Sequence, residues 1–140
     1  MIWQHLDKYR DHGLLVLRLG IGSMFLFHGV PKLMGGPAVW KKLGGAMAYF
    51  GIKFAPTFFG FMAAFAEAIG GCCFILGLFY RPACILLGIT MIVAANFHLG
   101  KGDGLKGASH AIELGIIFWS MILIGPGAYS MDQKFRIARR

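Results

Sequence analysis

Residues 58–79 read FFGFMAAFAEAIGGCCFILGLF, an apolar stretch interrupted by one ionisable side chain, that of Glu67. The hydrocarbon core of a bilayer is about 30 Å thick and is crossed by about 20 apolar helical residues, so this stretch is long enough to span it. A carboxyl group at that depth is costly, and it normally faces a bundle interior, a cavity or a partner charge. The sequence therefore predicts that Glu67 faces other helices rather than lipid.

The helix face around Glu67 is made of small residues. Positions three, four and seven residues away along a helix share one face, and five of the six here are glycine or alanine: Gly60, Ala63, Ala64, Gly70 and Gly71. Small residues let transmembrane backbones approach closely. Glu67 is thus predicted on a helix contact face, either as a functional group or as a protonated residue that only hydrogen-bonds a neighbouring helix.

Composition favours an integral membrane protein. The chain has 140 residues, of which 57% are hydrophobic and 14% charged, whereas soluble domains are about 45–50% apolar. Four apolar stretches, at about residues 13–30, 57–79, 82–99 and 108–124, predict an all-α fold, an integral membrane four-helix bundle that forms one domain over residues 1–140. No small-residue cleavage pattern follows the first stretch, so we interpret it as a retained helix rather than a secretory peptide.

The longest connection joins the first two spans. Pro37 suits the first turn of a helix, the pair Gly44-Gly45 would end it, and tryptophan and lysine lie between them. This mixture is typical of a short helix at the headgroup boundary. We predict an interfacial helix in this loop, which acts as an anchor or as a lid over one mouth of the bundle.

The net charge of +8 lies mostly at the ends of the spans rather than along one stripe. That distribution fits anionic lipid headgroups and argues against nucleic acid as a partner. Four spans place both termini on one side of the bilayer. The tail after the last span is short and basic, which favours cytoplasmic termini, its cations being Lys134, Arg136, Arg139 and Arg140.

An antiparallel arrangement of the spans collects polar side chains at the end opposite the termini: His28, Lys32, His98, His110 and Glu113. Glu67 would lie about nine residues below that mouth, or roughly 14 Å along a helix. We predict that these side chains and Glu67 line one vestibule. Lys32 follows Pro31, so its ammonium would either turn inward at a proline kink or extend to the headgroups.

These residue types suit proton transfer. A carboxylate beside an imidazole can fix its tautomer, and His110 and Glu113, three residues apart, share a helix face. Histidines on three spans are also compatible with zinc, copper or a haem iron, although their spacing does not demand a metal. The chain has two glutamates, too few for a di-iron carboxylate bundle.

The order of these residues resembles the DoxX family of small four-helix membrane proteins. The matching pieces are Arg18 with His28-Gly29 and Lys32, then Ala66-Glu67 with Gly70-Gly71, then Arg81-Pro82, and Glu113 with GPGAYSMD at residues 125–132. The resemblance implies a bacterial inner-membrane bundle linked to quinone and oxidative-stress systems. It implies functional positions at Arg18, His28, Lys32, Glu67, Arg81, Glu113 and Asp132.

We therefore predict a quinone-linked redox component of a membrane oxidoreductase system, whose electrons come from a protein partner or a bound cofactor. The candidate catalytic residues are Glu67, His28 and Glu113, and the candidate cofactor-binding residues are Arg18, Lys32, His98 and His110. One alternative is an assembly or chaperone subunit, in which Glu67 and Arg18 pair with a partner helix. Another is a transporter of a small solute, proton or metal with Glu67 as its gate, for which a homo-oligomer would supply further spans.

Overall fold

The computed structural model describes residues 3–138, and within that range it contains helices and no strand. The helices are α1 (Arg10–Met34), α2 (Gly36–Gly44), α3 (Pro56–Phe65), α4 (Gly71–Leu76), α5 (Tyr80–Lys101), α6 (Gly104–Ile124) and α7 (Met131–Ala138). A 3-10 segment, Gln4–Tyr9, leads into α1, and a second, Gly45–Phe50, follows α2. A π-helical turn, Ala66–Gly70, joins α3 to α4. Arg139 and Arg140 of the predicted basic tail lie outside the described residues.

Four helical stretches of the described chain are long and apolar enough to cross a membrane: His5–Met34, Pro56–Leu76, Tyr80–Lys101 and Gly104–Ile124. The all-α, four-span prediction is therefore confirmed, and the chain is a multi-pass membrane protein in contact with lipid. The bounds differ from those predicted. Pro31 lies inside α1 and does not end it, while Gly77 adopts a left-handed conformation, with φ +62°, that stops α4 at Leu76.

The start of α1 and the segment before α7 meet at one end of the bundle, which we call the terminal end. The Asp11 carboxylate near the start of α1 accepts a hydrogen bond of 3.1 Å from the Ala128 N–H, and the Tyr129 hydroxyl lies 3.2 Å from His12 Nε2. The large core side chains Phe74, Tyr80 and Phe118 are fully buried. We call the opposite end of the bundle the loop end.

The third span begins at Tyr80 because the C-terminal segment caps it. The Asp132 carboxylate accepts hydrogen bonds of 2.9 Å from the backbone N–H groups of Phe79 and Tyr80. The first N–H groups of a helix have no partner within the helix, so this carboxylate satisfies donors that would otherwise be unpaired. The Asp132 N–H in turn donates to the Gly77 carbonyl at 2.9 Å, which ties α7 to the turn before α5.

We expect Asp132→Ala to lower the free energy of unfolding by about 1–2 kcal/mol, because it removes a helix cap. Titration with SDS in mixed micelles measures this change. Asp7→Ala is the matched control, since Asp7 is an exposed carboxylate in the first 3-10 segment, and it should shift the free energy by less than about 0.5 kcal/mol. Equal losses in the two variants would contradict the capping role.

Most of the small-residue face around Glu67 is buried, as predicted: Gly60, Ala64, Glu67, Gly70 and Gly71 are in the interior, and Ala63 is half-buried. Helix α1 crosses this face at Gly29. A Cβ atom added there would lie 2.5 Å from the Ala68 nitrogen and 2.8 Å from the Glu67 Cβ. Only glycine allows this approach, which brings the end of α1 directly over Glu67.

Candidate functional site

A cavity of about 460 Å³ lies between α1, the π-helical turn, α5 and α6 towards the loop end. Apolar side chains make up much of its wall, among them Ile21, Phe25, Met91 and Leu114. The space exists because facing positions carry little or no side chain: Gly20, Ala94, Gly107 and Ala111. We call this space the α1/α5/α6 cavity.

The α1/α5/α6 cavity collects most of the predicted vestibule: His28, Lys32, Glu67, His98 and His110 line it. The prediction that these side chains share one space is confirmed. His28 and His110 are exposed, His98 and Lys32 are half-buried and Glu67 is buried. The imidazoles of His28 and His110 therefore lie at the surface of the bundle, and the carboxylate lies inside.

Glu67 forms an ion pair with Lys32, whose Nζ lies 2.6 Å from Glu67 Oε2. Of the two positions predicted for Lys32, the inward one is correct. The carbonyl of Lys32 accepts a hydrogen bond of 3.0 Å from the Trp40 indole, which holds this end of α1. An ammonium group has three N–H donors, so pairing with Glu67 leaves Lys32 with donors for a ligand.

Glu67 lies in the π-helical turn, a feature that the sequence analysis did not predict. Such turns add one residue to a helical turn and are frequently found at functional sites. The residues of the turn, AEAIG, are also compatible with an ordinary α-helix, so the sequence carries no signal for it. The extra residue in this turn rotates the side chains that follow it about the axis of the span.

His98 has a carboxylate partner that the sequence analysis also missed. Its Nδ1 lies 2.7 Å from Asp103 Oδ2, and Lys101 Nζ lies 3.7 Å from the same oxygen. The hydrogen bond with His98 holds the pKa of the Asp103 carboxyl below its usual value. A glycine followed by aspartate at the end of a histidine-bearing helix could have indicated this contact.

Arg18 lies away from the cavity, which corrects its expected placement in a cofactor site. Only 1% of it is exposed, and its guanidinium donates to backbone carbonyls of Phe74, Ile75, Pro126 and Tyr129. The first two carbonyls are at the C-terminus of α4, where helix carbonyls lack partners and a cation is favourable. Arg18 therefore joins α1, α4 and the loop after α6.

Glu113 does not line the cavity either, and its predicted place in the vestibule is wrong. It is exposed on α6, whereas Gly107, His110, Ala111 and Leu114 of that helix face the cavity. Residues three apart differ by about 60° around a helix. His110 is at the edge of the cavity, so this rotation turns Glu113 towards the outer surface.

Two further positions that the resemblance singled out have structural contacts at the terminal end. Arg81 Nε donates to the Ile122 carbonyl at 3.0 Å, and Asp132 caps α5. The charges that the assembly hypothesis assigned to a partner helix are likewise paired internally, Glu67 with Lys32 and Arg18 with carbonyls. Within residues 3–138, no three His, Cys, Asp or Glu side chains are grouped to hold a metal ion.

Helix α2 is the predicted interfacial helix, with Pro37 in its first turn and Gly44 at its end. It packs on α3, where Gly44 lies against Gly60 so closely that neither position has room for a Cβ atom. The cavity lining includes no residue of α2 in the described chain. This placement agrees with an anchor and not with a lid.

Comparison with known proteins gives consistent matches. The DoxX family model matches residues 13–100. An uncharacterized protein of Haemophilus influenzae is 31% identical over 137 residues, which is 94% of this chain and 96% of that protein. The Bacillus subtilis protein named "Putative oxidoreductase CatD" is 32% identical over 89 residues, 64% of this chain and 61% of its own.

The Escherichia coli protein named "Inner membrane protein YqjF" is 27% identical over 131 residues, 91% of this chain and 95% of that protein. No solved structure gives a significant match. The family match covers more than half of the chain and includes Arg18, His28, Lys32, Glu67, Arg81 and His98. It agrees with the four spans and with the relative that matches along almost the whole length. This chain is a member of the DoxX family.

Proposed function

We propose that this protein is a quinone-linked redox component of a membrane oxidoreductase system, and that the α1/α5/α6 cavity receives the quinone ring. The supporting observation is a cavity of about 460 Å³ in the membrane-spanning part, lined by apolar side chains, one ion pair and several imidazoles. Sites for small molecules are typically about 300–1,000 Å³, mostly apolar, with a few polar groups that orient the ligand. The cavity meets each of these criteria.

The residues of the cavity fit a flat ring with oxygen atoms at its edge. Phe25, Met91 and Leu114 offer apolar contacts, and the ammonium of Lys32 has donors for a ring oxygen. When bound, a quinone would supply two-electron, two-proton chemistry. The exposed imidazoles of His28 and His110 would exchange protons between the cavity and water.

The relatives support this proposal by their names, one being called a putative oxidoreductase and another an inner membrane protein. We infer that this chain is also in the bacterial inner membrane, with its termini in the cytoplasm because Lys134 and Arg136 extend from that end. Electrons would come from a protein partner or from a bound cofactor.

The proposal is tested by narrowing the cavity. We expect Ala94→Leu to weaken binding of decylubiquinone to the purified protein at least tenfold, because the added isopropyl group enters the space for the ring. Fluorescence quenching of the tryptophans in mild detergent measures the affinity. Mass spectrometry of the lipophilic molecules that copurify with the wild type identifies a retained quinone.

Ala95→Leu is the matched control, because Ala95 is the next residue of α5 and does not line the cavity. It lines an adjoining groove with Ile92, Leu99 and Ile116. It should change the affinity less than about twofold, which is roughly 0.4 kcal/mol. Wild-type protein that neither retains nor binds a quinone would rule the proposal out. Equal effects of the two variants would place the ring outside the cavity.

A further inference from the structure

We propose that Asp103 is a positioning residue that holds His98 in the tautomer with its proton on Nδ1, so that Nε2 accepts a hydrogen bond from a ligand hydroxyl in the cavity. The inference rests on the proposed function for the nature of that ligand. It adds that His98 recognises the reduced, hydroxyl-bearing ring, a hydroquinone, in preference to the oxidised ring with carbonyl oxygens.

The tautomer follows from the chemistry of the two partners. An ionised carboxylate only accepts hydrogen bonds, so the proton between His98 Nδ1 and Asp103 Oδ2, 2.7 Å apart, is on the nitrogen. In a neutral imidazole the other nitrogen then has a free lone pair. His98 lines the cavity, so its free nitrogen, Nε2, is available to accept a hydrogen bond from a ligand hydroxyl.

The backbone places Asp103 where its side chain reaches His98. At the end of α5, Gly102 is left-handed, with φ +93°, and the Asp103 N–H donates to the His98 carbonyl at 3.0 Å. The Gly102 N–H donates to the Leu99 carbonyl at 3.2 Å. The bond between Asp103 and His98 is the long-range bond of a Schellman motif, which closes many helix ends. His98 and Asp103 are thus joined twice, through backbone and side chains.

The Asp103 side chain does not cap α6, although the residue is at the N-cap position of that helix. It immediately precedes α6, and aspartate is among the preferred residues for capping the first N–H groups of a helix. Its side chain nevertheless makes no capping hydrogen bond to α6. The carboxylate is committed to His98 instead, with Lys101 nearby. A capping role alone would have turned it towards the N–H of Leu105 or Lys106.

The other groups that face His98 do not provide an acceptor held in this way. Lys32 has no acceptor, and the Glu67 carboxylate, which keeps lone pairs when it is paired with Lys32, is a charged acceptor and not a neutral ring nitrogen. Among the described residues, the rings of His28 and His110 have no side-chain hydrogen bond, so nothing selects their tautomers. Tyr49 packs on α5 against Phe97 and does not line the cavity. Among the three imidazoles of the site, His98 is therefore the one that a side-chain hydrogen bond orients as an acceptor.

Nitrogen NMR of protein labelled with ¹⁵N-histidine tests the tautomer without a ligand. At pH 8 in detergent micelles, the His98 signals, assigned with His98→Gln, should show Nδ1 protonated and Nε2 unprotonated. In Asp103→Ala and Asp103→Ser this state should give way to a mixture with the Nε2-protonated tautomer. Serine offers a capping group for α6 but is too short to reach His98, so it separates folding from positioning.

Asp7→Ala serves as the control and should leave the His98 signals unchanged. A second preparation of the wild-type protein should give the same signals as the first. Unchanged helicity by circular dichroism and unchanged signals of the other histidines establish that the Asp103 variants fold. A wild-type His98 that is protonated on Nε2, or Asp103 variants that keep the wild-type signals, would overturn the proposal.

Binding of a ligand in its two oxidation states tests the recognition. Under anaerobic conditions at pH 8, Asp103→Ser should weaken binding of reduced decylubiquinone about tenfold and change binding of the oxidised form less than about twofold. Equal losses for both forms would contradict recognition of a hydroxyl. If neither form binds the wild type, the proposed function and the hydroxyl recognition both fail, while the NMR result still decides the tautomer separately.

Discussion

Replacing Arg18 with methionine is expected to lower the free energy of unfolding by about 4 kcal/mol, the largest effect that we predict for a single side chain. The guanidinium serves four carbonyls from α4 and from the loop after α6, and it is almost fully buried. Methionine preserves much of the volume but donates no hydrogen bond. The carbonyls of Ile75, Pro126 and Tyr129 would then lose this donor inside a membrane-embedded bundle, where no water replaces it.

Unfolding by SDS in mixed micelles measures the Arg18 effect, with Arg10→Met as the control on the same helix. Arg10 is exposed, so its replacement should cost less than about 0.5 kcal/mol. Arg18→Lys should fall between wild type and Arg18→Met, because an ammonium has fewer donors than the planar guanidinium fork. Similar stabilities of the Arg18 and Arg10 variants would refute the bridging role.

Replacing Lys32 with methionine is expected to lower the free energy of unfolding by about 2–3 kcal/mol. Removing one partner of a buried ion pair costs about 3–5 kcal/mol, because the other charge is left unpaired. The Lys32 side chain is 33% exposed and that of Glu67 10%, so water compensates part of this cost. The double variant Lys32→Met with Glu67→Gln should recover most of the loss, since no buried charge remains.

A double-mutant cycle isolates this pair, with a coupling of about 2 kcal/mol as the expected result. Lys42→Met is the control, because Lys42 is an exposed lysine on α2, and it should be nearly neutral. The same Lys32 variant should also bind decylubiquinone more weakly if its ammonium donates to a ring oxygen. If the losses in free energy of unfolding for the two single variants add up to that of the double variant, the two side chains do not interact.

The site was predictable where it depends on the topology of the spans. His28 and Lys32 end one apolar stretch and His98 another, while His110 begins the last. Antiparallel helices joined by short turns must bring such positions to the same end of a bundle. That rule brings the polar side chains to one end of the bundle. The cost of placing polar groups in hydrocarbon then favours their facing a shared space between the helices.

The site prediction failed where a side chain's contacts depend on its rotation about the helix axis or on its level along that axis. Glu113 and His110 are three residues apart, yet a rotation of about 60° is enough to separate surface from cavity. Arg18 shares a helix face with His28 and Lys32, yet it is several turns away along α1. At that level its guanidinium donates hydrogen bonds to carbonyls at the C-terminus of α4 and in the loop at residues 125–130.

The sequence by itself determined the number of spans, the helical class and the inward orientation of Glu67. Each depends on local quantities, namely the length of an apolar run and the cost of a carboxyl group in hydrocarbon. Only the tertiary structure decided that Lys32 pairs with Glu67, that Asp103 reaches His98 and that Arg18 binds carbonyls. These contacts depend on the closeness of α1 at Gly29, on the turn after α5 and on the return of the C-terminal segment. Hydrogen bonds and ion pairs change over fractions of an ångström, a scale that the pattern of residue types does not specify.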